Sequence, residues 1–240
     1  MRSVILIALA SLAACSSPGA ADSRAPASGG GTSRLYQVAG FTGIALTGSD
    51  DVDVRTGSGF SVRAEGPAAE LDKLRIARDG DTLRIGRKDS TGIQWGDSAR
   101  VKVYVTMPRI TAADLTGTGA LAIDRVEGER FRLASQGSGD TAIGTLGVEM
   151  ADLSLAGTGG LAAKGSARQL KFDVTGTCDL DAAGLKASRA TVSVVGTGNV
   201  HVAVDGPATV SVTGTGDVDL GPAAHCATTR TGTGDVTCGA

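Results

Sequence analysis

Aromatic side chains are scarce in this chain: one Trp, two Tyr and four Phe, 3% of 240 residues. That argues against a sugar-gripping cleft lined with rings. Histidine occurs only as His201 and His225, and no Gly-x-Ser-x-Gly, His-Glu-x-x-His or phosphate-loop motif is present. The common hydrolase, zinc-protease and nucleotide-binding signatures are therefore missing. No run of Lys and Arg is interleaved with aromatics, and the formal net charge is −2, so nucleic-acid binding has no support. The one apolar run at the N-terminus falls well short of the roughly 20 residues that a membrane-spanning helix needs.

Glycine, by contrast, is abundant at 36 residues, and much of it is periodic. Gly117, Gly137, Gly157, Gly176, Gly196, Gly214 and Gly232 follow one another at intervals of 20, 20, 19, 20, 18 and 18 residues. A second glycine stands two residues after most of them, as Gly119, Gly139, Gly159, Gly198, Gly216 and Gly234, with Cys178 taking that place once. A hydroxyl residue always separates the pair, and apolar residues alternate with polar ones on both sides. Alternation at period two is a strand signature. Each unit reads as two short strands joined by a glycine corner, where a positive φ or close packing of stacked turns excludes a Cβ.

A unit this short cannot bury its own apolar stripe, so successive units must stack into a continuous core. Equivalent strands then pair in parallel, and the connection between them is long enough for a crossover. Because such crossovers are almost always right-handed, the fold expected is all-β: a single right-handed parallel β-helix. About seven or eight coils at roughly 4.8 Å each make a rod of roughly 35 to 40 Å. The spread of 18 to 20 residues per turn must be absorbed in loops away from the glycine corner.

Residues 1–15 combine one basic residue, an apolar run and the ending Leu12-Ala13-Ala14-Cys15. They read as a secretory signal whose end resembles the bacterial lipobox, with Cys15 as the lipidated residue. Such an anchor holds a protein on a membrane without spanning it; Ser16 after the cysteine points to the outer membrane by the same resemblance. Residues 16–34 lack apolar periodicity and read as a flexible tether.

Residues 35–110 form a less regular lead-in to the repeats of 111–240. Phe41 to Val54 matches the repeat without its second glycine. Phe60 to Ala64 reads as a strand, Pro67 to Leu74 as a short helical turn, and Leu74 to Ile85 as a hairpin about Asp79-Gly80. Val101 to Thr106 is the clearest strand, ended by Pro108. Together they are expected to form enlarged coils that close the N-terminal end, as solenoids require.

Three groups of residues are candidates for more than packing. Positions three and five after the first glycine point outward and carry Asp179, Asp181, Asn199, His201, Asp217, Asp219 and Asp235 in the last coils. Stacked like charges are destabilising unless solvated or bridged, so the ladder is either a solvated face or a calcium site. Cys226 and Cys238 flank Gly232 symmetrically at inward positions, and a disulfide between them would close the last coil; Cys178 reads as a small buried thiol. Charge is also uneven: ten Lys/Arg against seven Asp/Glu over 60–110, but four against seven over 171–240.

The lipobox, Phe41-Thr-Gly-Ile-Ala-Leu, Asp79-Gly-Asp-Thr-Leu-Arg-Ile85, the strand ending in Met107-Pro108 and the serial Gly-x-Gly-[Asn/Asp]-Val units resemble the bacterial head GIN domain family of putative auto-transporter adhesins over roughly 38–238. The resemblance implies a right-handed β-helix on an exported, often lipid-anchored protein, and no catalytic residues. The expected function is a non-enzymatic, lipid-anchored envelope module that binds a protein or glycan surface ligand. The alternative is an envelope polysaccharide-active enzyme of lyase type, favoured by a groove of Arg/Lys, carboxylates and an exposed aromatic such as Trp95. End-to-end self-association through a weakly capped C-terminus is a third expectation.

Overall fold

A computed structural model describes residues 25–28, 31–88 and 99–239. Cys15 with its leader, the first part of the tether, and Trp95 lie outside the described residues.

The regular coils begin with β10 (Leu121–Gly137), β11 (Thr141–Gly157) and β12 (Leu161–Gly176), each long enough to bend around the rod. Later turns are cut into separate strands: β13 (Leu180–Ala187), β14 (Ala190–Gly196), β15 (Val200–Val204), β16 (Gly206–Gly214), β17 (Val218–Asp219), β18 (Ala224–Gly232) and β19 (Val236–Thr237). All of them pair in parallel, with Gly137, Gly157, Gly176, Gly196, Gly214 and Gly232 in one register. The result is a parallel β-solenoid of about six turns. This is fewer than the count expected from the sequence, because seven corner glycines enclose six complete turns.

A coil has three sides rather than the two strands expected. In β10 and β11, residues 121–123, 125–128 and 130–137 pair with 141–143, 145–148 and 150–157. The third side was hidden because it buries few residues per turn, such as Val126, Leu146 and Leu185, too few for a period to register. Register shifts fall between Ile143 and Leu146, Ala162 and Lys164, and Ala182 and Lys186. The drift between 18 and 20 residues is therefore absorbed at the turn into that third side.

Alternation builds the core. Leu121, Ile123, Phe131, Leu133 and Ser135 of β10 are buried, while Ala122, Arg132 and Gln136 between them are exposed. Row by row, Leu121, Thr141, Leu161, Leu180 and Val200 stack on the same inner position. Close stacking also explains the corner glycines. Gly157 has φ +124, and a Cβ there would stand 2.1 Å from the carbonyl oxygen of Gly137 in the coil below.

The N-terminal region holds β1 (Ala27–Ser28), β2 (Ser33–Tyr36), β3 (Gly43–Gly48), β4 (Asp51–Thr56), β5 (Ser61–Glu65), α1 (Ala68–Lys73), β6 (Leu74–Asp79), β7 (Thr82–Arg87), β8 (Lys102–Met107) and β9 (Ala112–Gly117). The β6–β7 hairpin turns at Asp79–Thr82 around Gly80, which has φ +58. Strand order departs from chain order. β3 and β4 form a coil whose Gly48 stacks on Gly117 of β9 on one side, while β7 and β8 lie against its other side. The first coil made is thus an interior one. β5, β2 and β1 then add antiparallel strands that close the end. Residues 25–28 and 31–34, expected as tether, join this cap: Ala25 is buried and donates its N–H to the Ile76 carbonyl, and β1 pairs with β2. Backbone hydrogen bonding, which needs no apolar pattern, holds that segment.

At the other end Cys226 and Cys238 are joined as a disulfide with Cα atoms 6.2 Å apart, and Cys178 is free and buried. In this last coil Thr228 and Arg230 occupy the inward rows that Val210 and Val212 fill one turn below. Arg230 donates to the Gly234 carbonyl at 3.0 Å and to Asp235 at 3.2 Å. An inward charge on a terminal strand opposes edge-to-edge pairing, which works against self-association at this end.

Candidate functional site

Just past the glycine corner, the residue four after the first glycine must point inward to fill the core, which forces positions three and five to the outside. The two outer rows so formed are the sequence's acidic ladder, and the structure separates their roles. Asp179, Asn199, Asp217 and Asp235 stack in the position-three row. Asp179 Oδ1 accepts the Asn199 N–H at 3.1 Å, Asn199 Oδ1 accepts the Asp217 N–H at 3.1 Å, and Asp217 Oδ1 accepts the Asp235 N–H at 2.8 Å. Asp140 serves the Gly160 N–H in the same way, and Asp51 the Ala120 N–H. These side chains satisfy corner amides of the next coil that would otherwise lack partners. Asp181, His201 and Asp219 share the position-five row, with His201 Nδ1 4.0 Å from Asp219. Among the described residues, no three His, Cys, Asp or Glu side chains converge as a metal-binding group.

Nearer the cap the same two rows change character. Position five becomes Ala122, Ala142 and Ala162, and position three includes Ala120 and Gly160. Small residues on successive coils leave a trough of about 440 Å³, floored by these alanines and bounded by Asp51, Asp53, Asp140, Asp179, Asp181 and Lys102. Its two ends differ in charge. At the cap end Asp51 is paired with Arg100 at 3.4 Å and Asp53 with Arg55 at 3.3 Å. There β4–β8 pairing sets Tyr104 beside Asp53, with the Arg63 guanidinium 4.8 Å and the Lys102 ammonium 5.3 Å from the ring centre. Asp140, midway along the trough, and Asp179 and Asp181 at the far end have no basic partner among the described residues.

A second polar cluster lies inside the cap, where the first coil lacks its second glycine. Asp50 fills that place: a Cβ on Gly119 would meet the Asp50 carbonyl oxygen at 2.0 Å. The Asp50 side chain is fully buried and receives Arg87 Nε at 2.9 Å, Arg87 Nη2 at 2.5 Å and the Val101 N–H at 3.0 Å. Arg87 also pairs with Glu70, itself bonded to Lys73 at 2.8 Å. Lys73 and then Arg87 hold the Glu70 carboxyl below its ordinary range, and Asp50 and Glu70 together raise the Arg87 guanidinium. The cluster locks helix, hairpin and first coil together. Elsewhere, burial, aided by the nearby Asp179 charge, raises the Cys178 thiol and keeps it protonated.

Sequence reasoning followed the acidic residues of the outer rows and passed over the alanines, which carry no chemical label. The corner glycines it named stack as described, and Cys226 and Cys238 meet. Lys102 and Tyr104 stand some fifty residues from Asp53 in the chain, and only non-local strand pairing brings them to one face.

The comparisons with known proteins agree with this architecture. Similar solved structures include a putative adhesin from Bacteroides fragilis at 18% identity and TM-score 0.79, covering 86% of this chain and 95% of that one; a putative lipid binding protein from Parabacteroides distasonis at 16% and 0.68, covering 88% and 98%; and a putative adhesin from Parabacteroides merdae at 13% and 0.61, covering 86% and 95%. At these identities they share the fold. No curated protein matches the chain in sequence. The family model described as putative auto-transporter adhesin, head GIN domain, matches residues 40–221, and the chain belongs to that family.

Proposed function

We propose that the protein is a lipid-anchored, non-catalytic binding module of the cell envelope that presents its alanine-floored trough to a surface ligand. The trough carries this reading. It is a shaped apolar depression on a continuously hydrogen-bonded wall, so the site is formed before any ligand arrives and ordering it costs little on binding. The family's adhesin description and the lipobox at Cys15 supply the setting. The polysaccharide-active alternative gains nothing from the cap end, where Asp53–Arg55 and Arg63–Glu65 are paired with each other.

The test uses cells expressing the full chain. Cys15→Ala is expected to release the protein from the membrane fraction, and Ala142→Trp, which fills the trough, to leave it membrane-bound while abolishing attachment of cells to the surface that wild type binds. Membrane retention without Cys15 would remove the anchor from this reading. Unchanged attachment with Trp at 142 would remove the trough.

A further inference from the structure

We infer that the trough receives an extended peptide laid along the rod axis, with a basic side chain at the Asp179–Asp181 end and an acidic one at the Lys102 end; this rests on the trough being the binding surface. The floor strands already have partners on both sides, as β10 lies between β4 and β11 and β11 between β10 and β12. A ligand therefore cannot join as another strand and meets only side chains and methyl groups. What it meets is a floor of alanines edged midway by Asp140, with opposite charges at the two ends.

The polarity follows from which charges are already engaged. Asp51 and Asp53 face Arg100 and Arg55, and with Lys102 and Arg63 nearby the cap end carries no net demand for a cation. Asp140, Asp179 and Asp181 face none among the described residues. Gly160 lies between Asp140 and Asp179, and a Cβ there would stand 3.4 Å from Asp140 Oδ1 and 3.6 Å from the Asp179 carbonyl oxygen. With no side chain, that notch admits an ammonium or guanidinium to the carboxylates while its aliphatic stem lies on Ala162 and Ala142. At the other end Lys102 offers its ammonium to an anion.

Length fixes the rest. From Lys102 on β8 through β4, β10, β11 and β12 to Asp181 on β13 is five strand spacings, about 24 Å at roughly 4.8 Å each. An extended peptide rises about 3.3 Å per residue, so the two charged groups sit about seven residues apart. A glycan fits less well. Among the described residues, the aromatic ring beside the trough, Tyr104, is already covered by Arg63 and Lys102, and an alanine floor offers sugar hydroxyls few partners.

The test measures fluorescence anisotropy of two labelled, end-blocked octapeptides on the purified full chain. One is Lys-Lys-Ala-Ala-Ala-Ala-Glu-Glu; the other has the same composition with its charges interleaved. The segregated peptide is expected to bind at least roughly tenfold more tightly than its isomer, and Asp179→Asn/Asp181→Asn to remove that preference. Lys102→Glu should weaken binding, and Ala142→Trp should abolish it. Equal binding of the two isomers, binding that survives Ala142→Trp, or no peptide binding while a neutral chito-oligosaccharide binds in the trough would each overturn the inference. The two readings separate cleanly. Loss of cell attachment in Ala142→Trp without any peptide binding leaves the adhesive role standing and sinks the peptide; charge-ordered binding alongside Trp-insensitive attachment does the reverse.

Discussion

The Asp50–Arg87 pair makes a quantitative demand on the cap. Asp50 is fully buried, and its two oxygens take both Arg87 nitrogens and the Val101 amide. Asp50→Ala strips these three bonds and leaves Arg87 with Glu70 and the Ala99 carbonyl. Removing one member of a buried pair costs about 3 to 5 kcal/mol, since the remaining charge stays desolvated. Against a typical domain stability of about 5 to 15 kcal/mol, that is enough to open the cap. Replacing both charges with apolar groups leaves no unpaired buried charge, only the Val101 N–H without its acceptor, so Asp50→Ala/Arg87→Met is expected to recover at least about half of the loss. The assay is urea unfolding followed by circular dichroism, with amide hydrogen exchange read at Val101 and along β8. Protection is expected to fall there first, while β14 to β18 keep theirs, because solenoid coils depend mainly on their neighbours. A cost below about 1 kcal/mol for Asp50→Ala, or a double variant as unstable as the single one, would show that the pair does not hold the cap and would refute the reasoning.

Three further outcomes are expected. Thr141 is buried in the row of Leu121 and Leu161 with its hydroxyl unpartnered; Thr141→Val keeps the shape, and the absence of a desolvated polar group should stabilise by about 1 kcal/mol, read as a higher thermal midpoint. Gly157→Ala demands a side chain at φ +124 and 2.1 Å from a backbone oxygen; strain alone is about 1 to 3 kcal/mol, so a marked drop in midpoint is expected, and a neutral outcome would mean that the coils separate easily. Glu70 has its pKa lowered in the folded state, so its contribution is present above the unfolded value near 4.3 and is lost as pH falls through the folded value. Wild type should therefore lose more stability than Glu70→Gln on acidification from about pH 6 to pH 3; parallel losses would dismiss the linkage.

The regular half of the fold was legible because each coil repeats the same local rule. Gly157 or Val194 can be assigned its place from its neighbours alone. The third side escaped because it spends few inward residues per turn, and Val126 or Leu185 taken singly makes no pattern. The cap was legible in its local pieces, such as the Asp79-Gly80 turn, but not in its stacking order, since nothing in the sequence near Gly48 says that Gly117 will lie upon it. The acidic rows were visible, but their use was not. Asp179 and Asp217 look like ligands until the amides whose hydrogen bonds they accept are seen. The trough was invisible for the opposite reason: Ala122, Ala142 and Ala162 matter through the volume they leave empty.

The placement of β3 and β4 inside the stack also sets a timetable. Asp51 and Ala120, which touch across adjacent coils, lie 69 residues apart. Long loops close slowly, because chain entropy is lost before any contact rewards it. A chain emerging N-terminus first from a ribosome must therefore wait until about Gly117 has appeared before its first coil has both neighbours. After that, each further 18 to 20 residues lay down one more turn on a finished template. Assembly of this molecule is thus one slow initiation followed by rapid zippering, and variants in the cap should alter how often folding starts, while those beyond Gly137 alter only how far it runs.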